Sequence, residues 1–320
     1  MGDSRMKCRK CGRPAAINMR RHKLALCEAC YPAWFRGQVE RTIRQFRMLS
    51  PDDRVLVAVS GGKDSLTVWD VLLHLGYHAE GLYIDLGIPD GGYSAESEMR
   101  ALRFAESRGA TCHVVSVRDR YGLSVPELAA RRRRMQKACS LCGLVKRHVM
   151  NGFAWERGFS VLVTGHNLDD EAAVLMQNTL TWQPGYLARQ FPVLPADEEG
   201  LVRKVKPLCL MYEREVAAYA LVSGIDYIQD ECPHAVGART LFYKEILNRL
   251  EQRSPGAKAY FFTQFLRAKE GGHIRFAEDS EVALHACSRC GQPTTAPGLC
   301  AFCRLWASDF QINAGDEEEA

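Results

Sequence analysis

No run of about 18 apolar residues occurs anywhere in the chain, which excludes a membrane-spanning helix. The first residues, MGDSRMKCRK, lack the apolar core of a secretory signal. A dominant charge is missing too: 42 Lys+Arg stand against 38 Asp+Glu, a formal net charge of +4. So small an excess does not identify a nucleic-acid binder, and any case for RNA has to rest on local patches. Neither GxxxxGK[ST] nor GxGxxG is present, which excludes two widespread phosphate-loop signatures. The expectation is a soluble, cytoplasmic protein without membrane contact. Its length suits one large domain with small appendages.

Cysteine, by contrast, is abundant: 13 in 320 residues. Disulfides rarely persist in the cytosol, so paired cysteines there point to metal, cluster or redox chemistry. Cys8, Cys11, Cys27 and Cys30 read C-x2-C-x15-C-x2-C, and Cys287, Cys290, Cys300 and Cys303 read C-x2-C-x9-C-x2-C. Two CxxC knuckles supply four thiolates at the spacing that tetrahedral zinc requires. Each quartet contains a Cys-Gly step, Cys11-Gly12 and Cys290-Gly291, where amides can bend toward sulfur. One Zn2+ is expected in each, supplying folding energy that so short a segment cannot draw from a core. Cys139, Cys142 and Cys232 form a central group, while Cys112 and Cys209 read as ordinary buried residues.

Between the quartets, apolar runs alternate with helical periodicity. Strands are expected over 54–59, 79–87, 112–117 and 160–166, with a short fifth over 225–229. Helices are expected over 66–76, 98–109, 142–158, 169–178, 213–224 and 241–253. This alternation implies an α/β fold with a parallel sheet covered on both faces, which binds ligands at the C-terminal strand ends. The expected domains are a zinc finger over 1–35, a catalytic domain over 36–270, a second finger over 271–310 and a solvated acidic tail over 311–320.

The first strand runs straight into Ser60-Gly61-Gly62-Lys63-Asp64-Ser65, and the first core helix follows. Two glycines let backbone amides approach an anion, and the helix N-terminus favours negative charge. Ser60 and Ser65 can donate hydroxyl hydrogen bonds, and Lys63 can neutralise phosphate. Asp64 can hold Mg2+ or cap the helix.

SGGKDS in this setting resembles the SGGxDS signature of the PP-loop ATP pyrophosphatase superfamily. Thr164-Gly165-His166-Asn167-Leu168-Asp169-Asp170-Glu171 resembles the TGHNxDD stretch of its tRNA-thiolating members. Cys139-Ser-Leu-Cys142 with Gly143 and Lys146 resembles their central CxxC, and Asp230-Glu231-Cys232-Pro233 the segment bearing their third cysteine. The terminal fingers resemble those of the branch that takes sulfur from a ubiquitin-like carrier. The chain therefore resembles, over nearly its whole length, the tRNA 2-thiouridine synthetases of the TtuA type, relatives of the TtcA cytidine enzymes.

That resemblance implies a Rossmann-like PP-loop domain of the adenine nucleotide alpha hydrolase kind. It implies ATP, with Mg2+, spent to AMP and pyrophosphate to adenylate the C2 oxygen of a tRNA uridine. It also implies a [4Fe–4S] cluster on Cys139, Cys142 and Cys232, with one iron left to take sulfide. The residues themselves leave open a persulfide on Cys139 or Cys232, or plain buried cysteines. Asp170 is the expected catalytic or Mg2+-binding carboxylate, and Asp169 its less favoured neighbour. Lys146 lies four residues after Cys142 and so shares its helix face. Asp85 and Gly165 are expected near the nucleotide, Asp85 at the ribose or adenine. His234 is a lone histidine of the kind that more often caps or lies at the surface.

For RNA, Arg41, Arg44 and Arg47 recur every third residue. Arg131 to Arg134 with Lys137 form a run, and Arg203, Lys204 and Lys206 a third cluster. The implied partners are tRNA, a thiocarboxylated ubiquitin-like protein or other sulfide donor, and a second copy of the chain in a homodimer. Among tRNA positions, the resemblance favours the T-loop uridine over the wobble uridine. A different PP-loop reaction, without sulfur, would not need the central cysteines. A zinc-finger RNA binder without catalysis would not need the intact loop.

Overall fold

The computed structural model describes residues 6–131, 138–197, 199–230, 232–235, 239–276 and 284–306. In the N-terminal finger, β1 (Ile17–Met19) and β2 (Leu24–Leu26) pair antiparallel. Helix α1 (Tyr31–Gln45) starts directly after Cys30 and runs through the expected domain boundary at residue 35.

The core then builds in sequence order: β3 (Val55–Val59), α2 (Lys63–His74), β4 (Ala79–Asp85), α3 (Tyr93–Arg108) and β5 (Cys112–Ser116). Next come α4 (Val117–Tyr121), α5 (Val125–Arg131), α6 (Ala138–Glu156) and β6 (Val161–Val163). After α7 (Leu168–Leu180) and α8 (Pro184–Arg189), β7 (Val193–Leu194) and β8 (Arg203–Val205) form the sheet edge. Helices α9 (Glu213–Val222), α10 (Arg239–Arg253) and α11 (Ala257–Glu270) follow, and β9 (His285–Ala286) and β10 (Pro293–Thr294) pair in the C-terminal finger.

The main sheet runs β5-β4-β3-β6-β8-β7 and is parallel except for β7. Central strands alternate between two cores, as period-two geometry demands. Val55, Val57, Val59, Val161 and Val163 face a core shared with α1, α2 and α9. Leu56, Leu82 and Leu162 face a second core under α6. Trp69 of α2 lies against Gly81, where a Cβ would come within 2.5 Å of the ring, and its indole N–H donates to the Ala79 carbonyl at 2.9 Å. Each finger is continuous with a core: Cys8 and Cys27 with the first, Cys287, Cys300, Phe302 and Trp306 with the second.

The α/β architecture agrees with the sequence reading, but the fifth strand does not. Residues 225–229 are irregular, and the Ile228 N–H donates to the Gly61 carbonyl in the phosphate loop rather than to a strand. The sheet is extended instead by Arg203-Lys204-Val205, too short and too charged to announce itself by alternation. No helix among the described residues is long and apolar enough to cross a membrane.

Candidate active site

The phosphate loop is folded around one hydroxyl. Ser65 Oγ accepts the Ser60 N–H at 3.1 Å, lies 3.2 Å from Ser60 Oγ and donates to the Gly62 carbonyl at 3.0 Å. Gly61 has φ +72°, and a Cβ on it would stand 2.3 Å from the Ser97 carbonyl oxygen, so nothing larger fits. Gly62 caps α2 in extended conformation, leaving the first amides of α2 without intrahelical acceptors. Such amides at a helix N-terminus bind phosphate.

Around the loop lies a closed ring of charge. Lys63 Nζ is 3.1 Å from Asp64 and 2.8 Å from Glu213. Lys244 Nζ is 3.3 Å from Glu213 and 2.6 Å from Asp170. Asn167 closes the ring: its side-chain amide donates to Asp64 at 3.0 Å and its backbone N–H to Asp170 at 3.0 Å. Asn167 is also the N-cap of α7, accepting the Asp169 and Asp170 amides, so a capping box sets the carboxylate of Asp170. Burial raises the Asp64 carboxyl above its usual range, and Asp170 adds to this, against the pull of Lys63 and Asn167. Glu213 is also raised by burial, but Lys244 and Lys63 outweigh it and hold the carboxyl below its usual range.

Asp169, the less favoured acid, faces inward. It is buried, is paired with Lys258, and accepts the Glu213 N–H at 2.9 Å. Gly165 presses on the loop, and Asp85 accepts the Gly87 N–H at 2.8 Å in the turn after β4. Beside the loop, a cavity of about 100 Å³ is lined by Ser60, Leu82, Ile84, Tyr93, Lys146 and Met150, among others. Lys146 thus faces the same space as the phosphate loop.

Tyr93, in the wall of this cavity, packs on the same core as Cys142 and Cys232. Burial pushes its phenol up, and Cys232 and Cys142 add to the rise. Both cysteines are half-buried and pack on the core under α6. Cys139 falls in the first turn of α6, but its side chain lies outside the described residues, as does Glu231. In each terminal quartet the sulfurs lie within 4.8 Å of one another, an arrangement able to hold a metal ion. Gly12 and Gly291, the Cys-Gly steps, have φ of +76° and +71°. The Cys300 and Cys303 amides donate to Cys287 and Cys300 sulfur at 3.2 and 3.3 Å, which suits thiolates.

A family model described as the PP-loop domain matches residues 35–236. A second, described as 2-thiouridine synthetase TtuA, N-terminal LIM domain, matches residues 7–32. The tRNA-5-methyluridine(54) 2-sulfurtransferase of Thermus thermophilus is 52% identical over 306 residues, covering 96% of this chain and 92% of that one. The chain belongs to the PP-loop 2-thiouridine synthetase family.

The enzyme of the same name from Pyrococcus horikoshii is 43% identical, covering 98% and 99%. Among solved structures, the U34-tRNA thiolase NcsA from Methanococcus maripaludis with its [4Fe-4S] cluster superposes with a TM-score of 0.78 at 25% identity, covering 95% and 96%. Glu213 and Lys244 belong to the ring of charge at the loop, and the sequence reading passed over both. Of the basic patches, Arg41, Arg44 and Arg47 are exposed, and Arg203 donates to the Arg47 carbonyl, so two patches meet. Lys206 turns inward to Glu171 at 2.8 Å, and Lys204 is held by burial and by Arg147 down to about 8. Arg132 to Arg134 and Lys137, and the acidic tail, lie outside the described residues.

Proposed function

We propose that this chain is a tRNA sulfurtransferase that adenylates the C2 oxygen of a uridine, at T-loop position 54, and replaces it with sulfur to give 2-thiouridine. The observation that carries this reading is one cavity shared by the phosphate loop, Lys146 and Tyr93, with Tyr93 packed on the same core as Cys142 and Cys232. The position rests on the relatives of 52% and 43% identity named for 5-methyluridine 54.

Oxide is a poor leaving group from C2, and adenylation makes it AMP. The uridine oxygen attacks the α-phosphorus of ATP and pyrophosphate departs. A sulfur nucleophile from the cysteine side then attacks C2, and AMP leaves. The loop amides and Lys63 would hold the phosphates and offset charge developing on them. Asp64 and Asp170, brought together by Asn167, are hard oxygen donors suited to Mg2+. Lys146 would neutralise charge where nucleotide and incoming sulfur meet. The target base has to leave its stack to reach this depth.

Cys142 and Cys232 pack on one core, and with Cys139 they would supply the three thiolates of a [4Fe–4S] cluster. When bound, that group would offer an iron open to sulfide from a donor such as a thiocarboxylated carrier. The all-sulfur terminal quartets, with amides donated to sulfur, suit one structural Zn2+ each. The test is anaerobic purification, a metal count and nucleoside analysis of tRNA treated with ATP and sulfide. About four irons and two zincs per chain are expected. Cys142→Ala should lose the iron, keep the zinc and form no 2-thiouridine. ATP cleavage without any sulfur in the product would overturn the reading.

A further inference from the structure

We infer that Lys244 is a second pyrophosphate-binding cation, held in reserve by Glu213 until ATP arrives; this rests on the nucleotide reading of the site. The only anion standing between Lys63 and Lys244 among the described residues is the Glu213 carboxylate, at 2.8 Å from one ammonium and 3.3 Å from the other. One carboxylate bridging two lysines is the arrangement that a phosphate group would adopt there. Three helix N-termini converge on it: α2 with Lys63, α7 with its Asn167 cap, and α9, which begins at Glu213 itself. The dipoles of these three helices therefore favour negative charge here, whichever anion supplies it.

The charge balance supports an exchange of partners. Lys63 and Lys244 face Asp64, Asp170 and Glu213, so the ring carries one excess negative charge when all are ionised. Burial lowers the Lys244 ammonium, but Asp170 and Glu213 more than compensate, and it stays charged. Both lysines are mostly covered, with side chains 23% and 18% exposed, so neither is spread into solvent. A triphosphate entering at the loop brings stronger acceptor oxygens than one carboxylate, and both ammonium groups can turn from Glu213 to the β- and γ-phosphates. Divalent metal at Asp64 and Asp170 would release the same lysines further. No bond is made or broken in this step; the lysines change acceptors, and Glu213 keeps its proton balance.

The experiment compares ATP and AMP binding, each with Mg2+, on the full chain by calorimetry. Lys244→Met should weaken ATP about tenfold or more, the scale of a lost charged hydrogen bond, while AMP changes less than about twofold. Lys244→Arg should recover most of the ATP affinity. Glu213→Gln, which removes the competing anion, should tighten ATP and leave AMP unchanged. Equal loss for both nucleotides, or no loss for either, in Lys244→Met would overturn the inference alone. If that variant does not fold, Glu213→Gln decides: unchanged or weaker ATP binding overturns it. A wild-type chain that binds neither nucleotide overturns the nucleotide reading and this inference with it.

Discussion

Gly165 lies flat against the backbone of Asp64. A Cβ built on it would stand 2.8 Å from the Asp64 carbonyl carbon and 2.9 Å from both its oxygen and the Ser65 nitrogen. The end of β6 thus forms the back wall of the phosphate loop, and the wall has no room for a methyl group. Gly165→Ala should push the loop away and cut ATP cleavage by about a hundredfold, the scale of a misplacement near 1 Å. The fold should survive, because the strand itself is untouched. Steady-state AMP release beside a thermal melt checks both; full activity in the variant would refute the close contact.

Asp64 is held in its ring at a cost to stability. Its raised carboxyl means that the native chain binds a proton there more readily than the unfolded chain does. The group therefore favours folding at low pH, and that contribution is lost as pH rises through the raised value. Asp64→Asn should melt higher than the parent at pH 7.5 without nucleotide or Mg2+, and the gap should close on acidification. Activity should fall to background. A variant that melts lower at pH 7.5 would contradict the assignment.

Lys204 behaves in the opposite sense. Burial, with Arg147 and Lys206, brings its ammonium down to about 8. The folded chain gives up this proton before the unfolded chain does, so the penalty is full below about 8 and fades as pH rises toward the ordinary lysine range. Lys204→Met should raise Tm more at pH 7 than at pH 9.5. The comparison needs only melts at the two pH values, and an equal gain at both would remove titration as the cause.

The C-terminal finger is tied to α6 by rings. His148 stacks on Phe302 with centroids 3.7 Å apart and planes 7° apart, and Phe302 stacks on Trp306 at 4.4 Å. Phe302→Ala should cost about 3–5 kcal/mol, the usual scale for an aromatic removed from a core. At 2–4 °C per kcal/mol, that is a Tm loss of roughly 10 °C. Stripping the Zn2+ proposed for the Cys287 quartet with a chelator should give a comparable loss, and the variant should be less sensitive to it. Melts with and without chelator test the coupling; independent, additive losses would show that finger and helix are separate.

The loop was legible because six adjacent residues carry it, Ser60 to Ser65, and adjacency survives in a sequence. The quartets were legible for the same reason: CxxC spacing is local. Glu213 and Lys244 were not. One is an acid at the start of a helix and the other a lysine in an amphipathic helix, both commonplace, and their meaning arises only where α7, α9 and α10 converge. The fifth strand failed because Ile225 to Gln229 has the composition of a strand but finds its partner in the loop. Lys206 looked like part of a surface cluster, since charge in a sequence carries no direction; the fold turns it onto Glu171.

The bond from Ile228 to the Gly61 carbonyl, 3.0 Å long, has a mechanical reading. Ile228 stands four residues before Cys232, and Gly61 is the tightest point of the phosphate loop. That bond fastens the phosphate loop to the segment that leads on to Cys232, as two keys are held on one rail.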